Sequence, residues 1–144
     1  MKVLLDTSLL VAAMVEAHPA HQRALPWLQG VKDGTHKGFV AAHSIAELYA
    51  VLTTLPVQPR IPPVVASRLI QRNVITVCDV VALSQEDYAA MPAHVSASRI
   101  VGGTIYDALI LYAAIKTHVD RVVTLNEKDF RRVFPHFGDR VCGP

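Results

Sequence analysis

Brief runs of consecutive apolar residues alternate along the chain with longer stretches in which apolar residues recur at helical spacing. Val3-Leu4-Leu5 is unbroken and stops at Asp6-Thr7-Ser8, which predicts a strand buried on both faces. Leu9–Val15 reads as a helix. His18-Pro19 reads as the start of another running toward Gln29, with Pro26 expected to kink or shorten it. Asp33-Gly34 and Gly38 mark a turn before a second strand, Phe39–Ala41. Ser44-Ile45-Ala46-Glu47 has capping-box spacing and opens a helix through about Leu52. Pro56, Pro59, Pro62 and Pro63 form a loop, after which Val64–Arg72 is helical with a proline-type start. Val74–Cys78 and Val80–Leu83 are rich in β-branched residues, so one or both pair in a sheet or merely connect. Ser84-Gln85-Glu86-Asp87 starts a helix reaching His94 or a little beyond. Gly102-Gly103 breaks the chain, and Thr104–Lys116 is a long apolar helix. Arg121–Leu125 follows as a strand, Asn126 caps a short helix over Glu127–Val133, and Arg140-Val141-Cys142 closes as an edge strand.

This alternation predicts an α/β fold, a three-layer sandwich with a central parallel sheet of four to five strands covered by helices on both faces. The 144 residues are expected to form a single domain, 1–144. A chain of this length buries roughly 68–70% of its unfolded surface and needs no staples. A hydrophobic content of 51% against 18% charged residues excludes a disordered chain. The longest apolar run, Ala108–Ile115, is far shorter than the about 20 residues of a membrane span. Asp6 interrupts the apolar start too early for a secretory signal, so a cytoplasmic location is expected.

Charge adds little: 14 Lys+Arg against 12 Asp+Glu leaves +2, with no polybasic tract and no argument for nucleic acid from charge alone. Cys78 and Cys142 lack C-x-x-C spacing and read as buried thiols of a reducing compartment, not as a disulfide or zinc site.

Where a parallel sheet binds a ligand, it does so beyond the carboxyl ends of its strands. The polar residues at those ends are therefore the candidates. Asp6 follows the first strand, Glu47 starts the helix after the second, and Asp107 lies in the first turn of the helix after Gly102-Gly103. Asn126 and Asp129 follow the strand at Arg121–Leu125. Carboxylates gathered in one place repel, and a hard divalent cation such as Mg²⁺ or Mn²⁺ removes the conflict through oxygen ligands. Such a site can activate water and stabilise the charge of phosphodiester hydrolysis. Each acid also has an ordinary use. Glu47 could be the capping-box partner of Ser44, and Asp107 could favour a helix N-terminus. Asp6 could cap the next helix, and Asp129 could be plain surface.

Other chemistries find less support. His18 and His21 lack the glutamate of H-E-x-x-H and read as a solvated helix face. G-x-S-x-G, P-loop and G-x-G-x-x-G patterns do not occur. Trp27, Tyr49 and the apolar stripe along 104–116 read most simply as core.

Four blocks in order resemble the motifs of the PIN domain family. They are Lys-Val-Leu-Leu-Asp-Thr-Ser at 2–8, Ser44-Ile-Ala-Glu47-Leu-Tyr, Gly103-Thr-Ile-Tyr-Asp107-Ala-Leu-Ile and Val123-Thr-Leu-Asn126-Glu-Lys-Asp129-Phe. Together they cover residues 2–130, and the size and second motif are most similar to VapC-type toxins of bacterial toxin–antitoxin pairs. The resemblance implies a Mg²⁺-dependent endoribonuclease, with Mn²⁺ able to substitute, whose acidic core and metal ligands are Asp6, Glu47 and Asp107. The family often has a fourth acid where this chain has neutral Asn126, so Asp129 either supplies that charge or a second metal is held weakly. Thr7 and Thr124 match small hydroxyl positions that, with Asn126, position substrate or water. The resemblance further implies an RNA substrate, a homodimer and a cognate antitoxin. Basic residues near the sheet edge are expected to bind the RNA backbone. The apolar faces around Leu9–Val15 and Ala24–Leu28 are candidates to meet a second copy or the antitoxin. Two other readings stand beside it: a non-catalytic PIN-like RNA-binding or scaffold module, which keeps the fold and is suggested by Asn126, and a receiver-type signalling domain, which also gathers acids at a parallel sheet edge. The receiver pattern needs an acidic pair after strand one, where this chain has one Asp followed by Thr-Ser.

Overall fold

Successive residues of a strand face opposite sides of a sheet, so an unbroken apolar strand needs cover on both. The computed structural model, which describes residues 1–144, supplies it. In β1 (Lys2–Leu5), Val3 and Leu5 pack into one apolar cluster and Leu4 into another. The same alternation holds in β2 (Lys37–Ala41), where Val40 faces the first cluster and Phe39 and Ala41 the second. It holds again in β4 (Arg121–Val123), with Val123 and Val122 divided likewise. With β3 (Cys78–Val81) and β5 (Val141–Cys142) these strands form one parallel sheet in the order β3-β2-β1-β4-β5. The expected α/β sandwich around a parallel sheet is therefore what forms.

The first face is covered by α1 (Thr7–Met14), α2 (His21–Lys32), α3 (Ala42–Thr54) and α4 (Pro63–Ile70). The second is covered by α6 (Thr104–Lys116) and α7 (Glu127–Val133), with α5 (Gln85–Ala97) packed against α6. At Gly38 α2 sits so close to the sheet that a Cβ would stand 2.5 Å from Val31 Cγ1 and 3.1 Å from Cys78 Sγ. Growth of the sheet reverses direction at β1, from which β2 and β3 lie to one side and β4 and β5 to the other. Loops leaving neighbouring strands on the two sides of such a reversal part and open a crevice.

Several boundaries depart from the sequence pattern for local reasons. His18 lies outside α2, because its Nδ1 accepts the Ala20 N–H at 3.1 Å and closes a turn ahead of the helix. Pro26 does not end α2: it and Gln22, whose carbonyl loses its donor, both face solvent, and the helix continues to Lys32. The capping box expected at Ser44 does not form. The chain passes from Ala41 of β2 directly into α3, which leaves Ser44 buried inside the first turn with Oγ unpartnered. Val74 and Ile75 belong to a π-helical turn, Gln71–Ile75, so only the segment at Cys78–Val81 pairs in the sheet. A 3₁₀ helix, Pro135–Arg140, precedes β5.

Two core assignments also change. Tyr49 is exposed, and Trp27 is half-buried at the edge of the first cluster. The faces offered for a partner around Leu9–Val15 and Ala24–Leu28 contribute Leu9, Leu10, Val11, Ala24 and Leu28 to the core instead. Exposed apolar side chains sit on α3, α4 and the π turn, at Tyr49, Val64, Val65 and Ile75. Cys78 and Cys142 occupy strands at opposite edges of the sheet and are both free; Cys78 is buried, while Cys142 is only partly so. Burial pushes the Cys78 thiol up to about 11, which keeps it protonated and inert. No helix is long and apolar enough to cross a membrane.

Candidate active site

The crevice at the β1/β4 reversal is built from hydroxyls that tie the two loops together. Asp6 leaves β1 in extended conformation and caps α1, its Oδ2 accepting the Ser8 N–H at 3.3 Å. The same oxygen accepts the Ser8 hydroxyl, and at 2.7 Å that of Thr124. Each hydroxyl accepts in turn from the β4 loop, Ser8 Oγ from the Leu125 N–H and Thr124 Oγ1 from the Asn126 N–H, both at 3.0 Å. Asp6 is only 4% exposed, so a charge that would be costly alone is held by three donors.

Glu47 comes from the second turn of α3, and its Oε2 accepts the Thr7 hydroxyl at 2.9 Å. That bond accounts for the carboxylate in place of a capping box. Burial raises the Glu47 pKa, the Thr7 bond opposes the rise, and the charge of Asp6 adds to it. Asp107 sits in the first turn of α6 and accepts Asn126 Nδ2–H at 3.0 Å. Asn126 thus stands at the N-cap position of α7 but makes no side-chain capping bond, its amide being turned to the neighbouring acid. Burial pushes Asp107 up to about 7, and repulsion from Asp6, Asp129 and Glu47 adds to the rise.

Asp6, Thr7, Glu47, Asp107 and Asn126 all line one open cleft of about 370 Å³. Thr124 lies buried beneath it. Asp129, on the first turn of α7, acts on Asp107 through its charge but does not line the cleft and makes no hydrogen bond. The basic residues expected at the sheet edge are absent from the lining, which has neither Lys nor Arg. Two polar residues of the lining, Ser8 and His18, are not among the sequence candidates. Ser8 stands two positions after Asp6, the spacing of a hydroxyl next to a helix cap. His18, in place of a solvated helix face, lines the cleft from the α1–α2 loop. Beside the cleft, His43 has a buried Nε2 without a partner, and burial lowers its pKa against the pull of Asp6.

Oxygen donors of this kind suit Mg²⁺ or Mn²⁺. Burial first, and then repulsion among Asp6, Glu47 and Asp129, disfavours the charged form of Asp107, and a divalent cation would offset that repulsion. As positioned, no three His, Cys, Asp or Glu side chains converge closely enough to hold an ion. Asp6 is fixed by three donors, whereas Glu47 and Asp107 are each held by one side-chain bond and retain an oxygen free to turn toward a cation.

Thr124→Val keeps the shape and removes the hydroxyl that joins Asp6 to the Asn126 N–H. A loss of about 1–3 kcal/mol is expected in denaturant unfolding, the cost of leaving buried polar partners unsatisfied. Unchanged stability would show that the hydroxyl does not hold the two loops together.

The PIN domain family profile matches residues 3–134. The chain is 31% identical over 109 residues to Ribonuclease VapC27 of Mycobacterium tuberculosis, covering 76% of this chain and 74% of that protein. It is 34% identical over 109 residues to Ribonuclease VapC40 of the same species, covering 76% of this chain and 75% of the relative. In backbone it resembles a chain in the crystal structure of VapBC2 from Rickettsia felis bound to a DNA fragment from their promoter. That likeness has a TM-score of 0.65 at 17% identity and covers 100% of this chain and 99% of that one.

Proposed function

The chain belongs to the PIN domain family, and from that premise we propose that it is a Mg²⁺-dependent endoribonuclease, with Mn²⁺ able to substitute, acting as the toxin of a VapBC-type pair. The observation that carries this reading is the meeting of Asp6, Glu47 and Asp107, from three separate elements, in one cleft at the β1/β4 reversal. These three carboxylates would hold the cation. When bound, it activates water and neutralises charge developing on the phosphate.

The protein's own groups account for the rest of the chemistry. Asp6, immobilised by Ser8 and Thr124, sets the fixed point of the site. Glu47 is anchored by Thr7 through Oε2, which leaves its other oxygen to ligate or to orient the attacking water. Asn126 holds Asp107 through Oδ2, and Asp129 adds negative charge on the same side. In-line attack by water on phosphorus, with departure of the 3′-oxygen, yields a 5′-phosphate and a 3′-hydroxyl.

Partners follow the same premise. An RNA substrate and a cognate antitoxin accord with relatives named as VapC ribonucleases and with a structural neighbour that is a VapBC complex; a homodimer and a cytoplasmic location complete the proposal. The test is incubation of antitoxin-free protein with structured RNAs in Mg²⁺, Mn²⁺ or EDTA. Cuts with 5′-phosphate ends are expected in either metal and none in EDTA. The second reading, a non-catalytic RNA-binding module, is favoured by neutral Asn126 and by the absence of three converged ligands. It gains if neither metal supports cleavage and Mn²⁺ fails to bind.

A further inference from the structure

The cleft has a shortage of hydrogen-bond donors. A phosphodiester is an anion, and the groups facing it here include three carboxylates and no Lys or Arg. Most donors in the lining are already turned to those acids. The Thr7 hydroxyl donates to Glu47, the Ser8 hydroxyl to Asp6, and the Asn126 amide to Asp107.

His18 is the lining residue whose side-chain donor is turned to none of the acids. Its backbone N–H donates to the Val15 carbonyl and its own carbonyl accepts from the His21 N–H, both at 2.9 Å. Its Nδ1 accepts from the Ala20 N–H at 3.1 Å, so the ring proton of the neutral imidazole resides on Nε2. Nε2 makes no protein hydrogen bond and is not buried. A loop residue of the cleft lining, tied at three points, thus has one uncommitted ring N–H.

We propose that His18 is a substrate-binding residue, whose Nε2–H donates to a non-bridging oxygen of the RNA phosphodiester entering the carboxylate cleft. The proposal rests on the nuclease reading and deepens it. His18 supplies the donor that the acids cannot, in either protonation state, and bonds an atom charged in both ground and transition states. Its removal should therefore act mainly on KM.

Two variants separate this role from that of the turn. His18→Asn retains an acceptor for the Ala20 N–H and loses the reach of Nε2. His18→Gln places an amide N–H about where Nε2 stands. His18→Asn is expected to melt like wild type, to bind Mn²⁺ like wild type, and to raise KM for RNA about 10- to 100-fold with kcat little changed, the loss expected for one hydrogen bond to a charged group. His18→Gln should recover most of that loss. In parallel, the His18 imidazole ¹⁵N signals of the wild type should shift on titration with a single-stranded RNA tetramer in Ca²⁺. Wild-type KM in His18→Asn, or His18 signals unmoved by saturating RNA, overturns the proposal while leaving the nuclease reading intact. Absence of cleavage and of Mn²⁺ binding in the wild type overturns the nuclease reading, and unmoved His18 signals in that case overturn both.

Discussion

Asp6→Asn is expected to remain folded and to lose RNA cleavage by on the order of 10²–10³-fold or more, the range seen when one preorganised electrostatic group is taken from an active site. The fold should survive because Asn caps helices about as well as Asp. Its Oδ1 can take the place of the Asp6 Oδ2 and accept the Ser8 N–H that caps α1 together with the Ser8 and Thr124 hydroxyls. What disappears is the negative charge at the best-anchored point of the cleft. Matching thermal melts of variant and wild type, measured first, separate loss of chemistry from loss of fold. Cleavage at the wild-type rate would remove Asp6 from the mechanism.

The second large effect is on stability, with a sign that reverses when metal is added. Asp107 ordinarily titrates near 3.8 and is pushed up to about 7, by burial first and then by Asp6, Asp129 and Glu47. Between those pH values the folded protein holds a proton that the unfolded chain has released. Stability from this group is therefore fully present below about 3.8 and is lost as pH rises through 7. Glu47, also raised, adds in the same direction.

Asp107→Asn removes the titration and can keep the bond from Asn126 Nδ2 by accepting at its own amide oxygen. In chelator, the variant should match wild type near pH 4 and exceed it increasingly toward pH 7.5. Added Mn²⁺ should invert the order. A ligand at 100 times its Kd stabilises the binding form by about 2.7 kcal/mol, and the variant lacks the site. Denaturant curves at several pH values, with and without Mn²⁺, check both halves. Parallel pH profiles for the two proteins in chelator would mean that Asp107 carries no unrelieved charge.

The sandwich was legible because its strands are nearly pure apolar runs and its helices keep their period. Val3–Leu5 leaves no reading other than a strand covered on both faces. Asp6 and Glu47 were legible as neighbours because each stands just beyond the carboxyl end of a strand, and Asp107 because it opens the helix that leads back into β4. The misread features depended on contacts between distant parts of the chain. Ser44 has the spacing of a capping box, but the direct passage from β2 into α3 places it inside the helix. Tyr49 looked like core, and nothing in local pattern says that its side of α3 is left uncovered. Ser8 links the β1 and β4 loops across a separation of 117 residues, a contact invisible to any window of sequence. His18 was placed by the turn that its own Nδ1 closes, and a helical pattern conceals such a turn.

The central claim is that carboxylates from three elements act as one divalent-cation site although, as positioned, they do not converge on one point. Titration of Mn²⁺ into the protein at neutral pH, followed by electron paramagnetic resonance, tests this most directly. The account predicts saturable, stoichiometric binding to wild type and marked weakening in Asp6→Asn and Asp107→Asn alike. A wild-type protein that leaves the free Mn²⁺ signal undiminished, or variants that bind as wild type does, would contradict it.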